Sequence, residues 1–516
     1  MLKRLNRIKK WQWAAIFLLF IAILYFIIPP SKPLFKNDYS TVVRASNAAL
    51  LHAFINQNEQ WHFPPDTSKV PQKLKTAVIT FEDESFYKHI GVDFLAITRA
   101  AYRNYKKGRI VSGASTIHMQ IARMSNPKNR NYLNKVKEIV FAIRLNLHFS
   151  KDEILTTYLN HAPYGGNVIG YRTASLKFFG KEPNQLTWSE AATLAVLPNA
   201  PGLIYPSKIS EALQNKRNGL LKKMFEKGSI SEQAYQLAML EPVPNQFLTF
   251  ESHAPHLARS LKSKYPDKKT ISTTIAIDVQ QQCNRIAQRY EHKYASFGIH
   301  NLAILVADTK TGAIRAYVGS PNFFDYNHGG QVDGVMAPRS SGSILKPFLY
   351  ALSIDEGLIT PESLIRDLPT FFEGFSPKNA SREYQGVARA KDALVQSLNI
   401  PAVRLLNSYG VFQFYAFLKE AGVTTLHRNA DDYGLPLILG GAEVNLWDMV
   451  SLFRGLANNG VFSNNITLSN ESVDETMQLI SEGACYQTLD MLKDLKRPGS
   501  EFYWERFSGS QPFAWK

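Results

Sequence analysis

The chain is 516 residues long, enough for two or three domains that each bury a full core. Its 59 lysines and arginines outnumber 43 acids and give a formal net charge of +16, which suits nucleic acid, an anionic bilayer or an anionic substrate without choosing among them. Cys283 and Cys485 lie far apart, which argues against a disulfide framework and for two unpaired buried thiols; no zinc-ligand spacing is present.

The N-terminus makes the choice. Lys3, Arg4, Arg7, Lys9 and Lys10 precede an uncharged run from Trp11 to Ile28, closed by Pro29 and Pro30. At ~1.5 Å per residue the run just spans a bilayer, with Trp11 and Trp13 suited to its interface. Bulky Tyr25, Phe26, Ile27 and Ile28 stand where a signal peptide would carry a small-residue cleavage site. The expectation is an uncleaved anchor over residues 1–30, basic end in the cytoplasm, with everything after Pro30 outside. Residues 31–72 carry no clear motif.

A helix is expected over Lys73–Glu82, running into three acids, Glu82, Asp83 and Glu84, flanked by the apolar Ala77, Val78, Ile79 and Phe81 and by Phe86 and Tyr87. An acid at the end of an apolar helix, walled by aromatics, has the setting that raises a carboxyl pKa toward that of a useful base. A solvated acidic helix end is the plainer reading of three acids alone. The stretch resembles the Glu-Asp-x-x-Phe-x-x-His-x-Gly-x-Asp signature of the peptidoglycan glycosyltransferase family, through Glu82, Asp83, Phe86, His89, Gly91 and Asp93.

The next segment interleaves Leu95, Ile97, Tyr102 and Tyr105 with Arg99, Arg103, Lys106, Lys107 and Arg109, a pattern suited to an anionic lipid surface or to a solvated helix face. Ser112–Arg123 opens a helix with small and hydroxyl residues, where backbone N–H groups could meet an anion or be capped in the ordinary way. It resembles the family's Gly-Gly-Ser-Thr-x-x-x-Gln signature through Thr116 and Gln120, with Ala114 and His118 as departures. Lys135 and Glu138 match Lys-x-x-Glu in Arg130–Glu138. Lys151–Asn160 with Pro163–Gly166, and then Glu190–Pro198, resemble the two remaining signatures. All five occur in family order. Residues 206–270 read as a charged helical linker, with helices between Asn215 and Leu240 broken at Gly228.

Periodicity then changes to two short strands, Leu302–Ala307 and Ala313–Val318, joined by Asp308-Thr309-Lys310-Thr311-Gly312. Ser343 and Lys346 form Ser-x-x-Lys, expected to put a hydroxyl and an amine on one helix face so that the amine takes the serine proton. Ser397-Leu398-Asn399 and Leu437–Gly441 follow, as in the penicillin-binding transpeptidase pattern, and the wording around Ser343 and over Pro321–Phe324 resembles the 1C type of bifunctional, class A penicillin-binding protein. The third transpeptidase element is Lys-Thr-Gly. Lys310-Thr311-Gly312 comes too early and reads as turn chemistry. Phe513-Ala514-Trp515-Lys516 resembles the approach to the true element, so a second domain without cross-linking activity is expected.

The expected architecture is multidomain α and α/β: the anchor, an α-helical lysozyme-like glycosyltransferase domain over 31–205, a linker over 206–270, and an incomplete β-lactamase-like α/β transpeptidase domain over 271–516. The resemblance implies polymerisation of lipid II into glycan strands, with inversion, at the outer face of a bacterial cytoplasmic membrane. It gives Glu82 the role of general base. Glu138, Lys135 and Arg123 handle the departing pyrophosphate, with Mg or Mn as the cation that could accompany it. Thr116 and Gln120 position the donor, and Asp83, Phe86 and His89 complete the substrate site. Ser343 and Lys346 are the catalytic pair and Ser397 and Asn399 the substrate-binding residues of the transpeptidase site; β-lactam labelling of Ser343 is not expected without the Lys-Thr-Gly element, and slow acylation is the alternative. Expected partners are lipid II, nascent glycan, membrane lipids and other cell wall synthesis proteins, and not nucleic acid. Two rivals from other classes are a non-catalytic envelope scaffold and a lysozyme-like hydrolase, which also uses two carboxylates.

Overall fold

The structure is a computed structural model that describes residues 10–35, 38–65, 69–109, 113–129, 131–199, 211–372, 374–473, 475–493 and 513–516. The basic residues Lys3, Arg4, Arg7 and Lys9, together with Ser112 and Arg130, lie outside the described residues. The chain divides into two compact units, one of Met1–Val42 with Ala53–Phe250, the other of Val43–His52 with Glu251–Lys516.

The first unit is helical. Helix α1 (Lys10–Ile27) is followed by α2 (Gln72–Glu82), α3 (Phe94–Lys107), α4 (Ile117–Ser125), α5 (Tyr132–His148) and α6 (Lys151–His161). Then come α7 (Tyr171–Phe179), α8 (Trp188–Val196), α9 (Glu211–Glu226) and α10 (Glu232–Leu240). At 18 residues α1 covers about 27 Å, against about 30 Å of bilayer hydrocarbon. No helix among the described residues is long and apolar enough to cross a membrane. Its apolar side chains are nevertheless exposed from Phe17 to Ile21 and at Ile23, Leu24 and Ile27.

Local chemistry explains where the helices start. Asp93 caps α3, accepting from Ala96 N at 2.8 Å, and Thr116 caps α4, accepting from Met119 N at 3.2 Å. Ser150 with Glu153 and Thr187 with Glu190 form reciprocal capping boxes at α6 and α8. Helix α2 buries Leu74, Ala77 and Val78 in a core shared with Ala191, Ala192, Leu194 and Ala195 of α8, where small residues permit close approach. Leu213, Leu220, Leu221 and Met224 of α9 and Ala238 of α10 join the same core. The region read from sequence as a linker therefore divides: its helices through Leu240 complete the first unit, and α11 (Pro255–Lys264) belongs to the second.

In the second unit Ile304–Ala307 pairs with Ile314–Val318, backed by α12 (Ile277–Tyr294) through Cys283, Ala287, Ala316 and Val318. Asp308 Oδ1 accepts from Thr311 N at 2.8 Å and from Thr311 Oγ1 at 2.7 Å, and Gly312 takes φ +71°. The early Lys-Thr-Gly is thus a turn. Helix α13 (Lys346–Asp355) is buried along Lys346–Ser353 and centres the larger core. A separate three-stranded sheet sets the hairpin of Val42–Arg44 and Leu50–Ala53 beside Thr270–Ser272. Sequence reading did not anticipate that contribution from before residue 60. Both cysteines are free and buried.

Candidate active site

Glu82 is the last residue of α2, and its partner stands on α4. Gln120 Nε2 donates to Glu82 Oε2 at 2.7 Å, while Oε1 is buried and has no hydrogen-bond partner among the described residues. Burial raises the Glu82 pKa above the ordinary glutamate value; the Gln120 hydrogen bond and the Arg123 guanidinium pull the other way, and Asp83 adds to the rise. Arg123 therefore acts on the field around Glu82. The buried hydroxyls of Tyr158 and Tyr164, also without partners among the described residues, face the same charge: burial first pushes both phenols up, followed for Tyr158 by Glu82 and for Tyr164 by Tyr171 and then Glu82.

Asp83 is the brace of this site. Its carboxylate accepts from His89 Nε2 at 3.0 Å and from Ile117 N, the first residue of α4, at 3.0 Å. His89 Nδ1 accepts from Gly91 N at 3.0 Å, so the network assigns the ring proton to Nε2. Gly91 stands at φ +101°, where an added Cβ would lie 2.4 Å from Ala142 O, and its carbonyl accepts from Thr116 Oγ1 at 2.7 Å. The Asp83, His89 and Thr116 hydrogen bonds, with wholly buried Phe86 in the core behind them, thus pin the start of α4 and so aim Gln120. Ligand atoms of Asp83, His89 and His118 lie within 4.8 Å of one another. The His89 proton already points at Asp83, and Lys151 lies over Phe86 at 5.1 Å. Burial first, then Lys151 and His89, push His118 down to about 3, so its imidazole is neutral, while Asp83 and His89 are tied by their own hydrogen bond.

Glu82, Asp83, Ser115 and Thr116 line a cavity of about 440 Å³ with Arg99, Arg103 and Lys223. Glu138 lines another, of about 220 Å³, with Ser125, Asn126, Lys128, Asn134 and Lys137, walled by Phe141 and Tyr25. Lys135 joins the two, its Nζ donating to Ser115 Oγ and to Glu138 Oε2, both at 3.0 Å. Glu138 is one carboxylate amid ammonium groups, a donor that fits Mg²⁺ or Mn²⁺ only in company with substrate phosphates. Sequence reading missed Tyr25, Tyr158, Tyr164 and Ser115 as site residues. Tyr158, Tyr164 and Ser115 lie inside the matched signatures, but nothing in the string separates them from core.

In the second unit Lys346 Nζ donates to Ser397 O at 2.8 Å, Leu398 O at 3.2 Å and Asn399 Oδ1 at 2.8 Å. Lys346, Ser397 and Asn399 are thus brought together. Ser343 lies in the turn ahead of α13 rather than on its face, and no hydrogen bond joins it to Lys346 Nζ among the described residues. Ser397 holds φ +57°, an uncommon conformation for a residue with a side chain. Burial and the neighbouring charge of Lys516 push Lys346 down to about 7. Lys516 itself donates to Leu394 O at 2.7 Å, and Ala514 and Trp515 pack on the unit's core.

Comparison with known proteins agrees with this division. A transglycosylase family model matches residues 47–225, and a penicillin-binding protein transpeptidase-domain model matches residues 302–499. The chain belongs to the class A penicillin-binding proteins. Within that class it is similar to the 1C type: it is 34% identical to penicillin-binding protein 1C of Escherichia coli (strain K12) over 503 residues, 98% of this chain and 64% of that protein. It is 28% identical to penicillin-binding protein 1F of Bacillus subtilis (strain 168) over 87% of this chain and 64% of the relative. The chain thus spans 64% of the length of each of these relatives. The crystal structure of penicillin-binding protein 1A from Haemophilus influenzae aligns at 18% identity and a TM-score of 0.47, over 93% of this chain and 81% of that one.

Proposed function

We propose that the chain is a peptidoglycan glycosyltransferase that polymerises lipid II into glycan strands. The observation that carries this reading is Glu82: a buried carboxylate of raised pKa, one oxygen held by Gln120 and the other free, on a cavity where Arg99, Arg103 and Lys223 stand among Asp83, Glu84 and Asp93. The acceptor hydroxyl oxygen attacks the anomeric carbon of the donor and gives its proton to Glu82. The bond from that carbon to the phosphate oxygen breaks as the new one forms, with inversion. The electron pair leaves with the diphosphate, which Lys128, Lys135 and Lys137 balance. A divalent cation carried on the diphosphate would be held by Glu138 and would neutralise part of the leaving charge. The anchor helix α1 holds the unit against the outer face of a cytoplasmic membrane, with the exposed Leu95, Tyr102 and Tyr105 of α3 meeting the lipid surface.

Polymerisation of labelled lipid-linked precursor by the purified chain tests the reading. Glu82→Gln keeps the shape and removes the base, so synthesis should fall by ~100- to 10,000-fold; near-normal polymer from that variant rules out Glu82 as base. Glu138→Gln should also be severely impaired.

A second reading concerns the other unit, where Lys346 supports β-lactam acylation of Ser343 once it has lost its proton and turned from Ser397 and Asn399. The expected activity at neutral pH is slow.

A further inference from the structure

Behind Glu82, three side chains of metal-ligating type converge from separate elements. Asp83 follows α2, His89 stands in the turn ahead of α3, and His118 is the second residue of α4. One ligand atom from each lies within 4.8 Å of the others. The side chains of His89 and Asp83 are only 6% and 3% exposed, and His118 is wholly buried. Neither ring nitrogen of His118 has a hydrogen-bond partner among the described residues; the Asn146 side chain acts on the ring without a well-formed hydrogen bond. A buried imidazole with both nitrogens unsatisfied costs free energy that a bound ligand would return. Asp83 also lines the cavity of about 440 Å³, which offers a cation a way in and a water a fourth position.

Two imidazoles and one carboxylate are donors for Zn²⁺, Co²⁺ or Ni²⁺ rather than for Mg²⁺, which prefers oxygen and keeps its waters. Bonds of ~2.0–2.2 Å set tetrahedral ligand atoms ~3.3 Å apart, so the trio closes by at most ~1.5 Å from its 4.8 Å limit. We infer that Asp83, His89 and His118 bind a dication of the zinc type, at a site separate from Glu138, and that its occupation slackens the brace of α4. The metal takes His89 Nε2 in place of the proton now donated to Asp83. That proton passes to Nδ1, so the ring stays neutral and Gly91 N loses its acceptor. The Gly91 carbonyl holds Thr116, which caps the helix that aims Gln120 at Glu82. Metal binding therefore lowers polymerisation, a consequence that rests on the glycosyltransferase reading, whereas the binding itself does not. The Lys151 ammonium, donating to His89 O at 2.8 Å, repels the cation and limits its affinity.

The test is titration of the full chain with Co²⁺, read by its visible absorption, then displacement by Zn²⁺. His118→Leu removes the ligand and both unsatisfied nitrogens. It should weaken binding by more than the ~10- to 100-fold that loss of an outer-shell partner costs. Lys151→Met should tighten binding by lifting the repulsion, a gain that a misfolded variant cannot imitate. No Co²⁺ band, or one that both variants leave unchanged, overturns the inference. Zn²⁺ added to the Mg²⁺-containing polymerisation assay should slow the wild type and spare His118→Leu; equal inhibition of both, or of neither, overturns the slackening of α4. The expected Co²⁺ affinities in a chain that forms no polymer without Zn²⁺ would sink the glycosyltransferase reading and leave the metal site standing.

Discussion

A carboxylate with one oxygen held and one free is a base whose strength its neighbour sets. Gln120 stabilises the charged form of Glu82, so its hydrogen bond lowers a pKa that burial has raised. The base works only when ionised. Activity should therefore fall as pH drops through the raised Glu82 value, and this acid limb should lie above 4.5, the ordinary glutamate value. Gln120→Ala removes a lowering influence and should move the limb to higher pH; a limb that stays put, or moves down, means that Gln120 does not act through Glu82. Lys346 works with the opposite form, neutral when it serves as base. With its pKa near 7, labelling of Ser343 by a fluorescent penicillin should be weak below pH 7 and rise above it. Equal, stoichiometric labelling at pH 6 and pH 8 would refute this account of Lys346.

At the scale of elements, α4 is the part on which the first site depends, and its position rests on the turn through Gly91. A side chain there meets Ala142 O and forces a residue into φ +101°. Gly91→Ala should cost on the order of 1–3 kcal/mol in strain alone, at roughly 2–4 °C of melting temperature per kcal/mol for a unit of this size. Calorimetry of the full chain reads this directly, and an unchanged transition would mean that the turn relaxes freely. Sequence reading reached Glu82, Asp83, His89, Thr116, Gln120, Lys135 and Glu138 through the resemblance of their motifs to family signatures, because local pattern alone reads them as helix ends, caps and surface charges; the contacts of Gln120 with Glu82 and of His89 with Asp83 come from the fold. It did not reach the direction of Lys346 Nζ, since three residues of spacing cannot say whether the helix has begun at Ser343. Nor did it reach the hairpin of Val42–Arg44 and Leu50–Ala53. Strands of three and four residues have too little periodicity to read, and their partner Thr270–Ser272 is more than 200 residues away. Tyr25 read as a bulky residue against cleavage; its place beside the Glu138 cavity depends on α5 packing.

For the whole molecule, charge and exposed apolar surface point to the same partner. Phe94, Leu95, Tyr102 and Tyr105 of α3 are exposed among Arg99, Arg103, Lys106 and Lys107, in a chain of net charge +16. Flotation should show binding to vesicles rich in anionic lipid, and Leu95→Glu with Tyr105→Glu should weaken it. Raising salt should reduce but not abolish the association, because screening removes the Coulombic part and leaves the apolar contact. Binding indifferent to both changes would leave α3 as a solvated face.

The hairpin in the second unit also has a meaning in time. Residues 43–52 leave the ribosome early, but the strand they pair with follows roughly 200 residues later. At ~5–20 residues per second that is a delay of about 10–40 s. During it the hairpin must remain unpaired on the growing chain while the helices encoded between Ala53 and Phe250 fold. Maturation of the second unit is thus tied to a segment made before the first unit is finished. A polypeptide begun at Glu251 would have to fold without two of the three strands of that sheet.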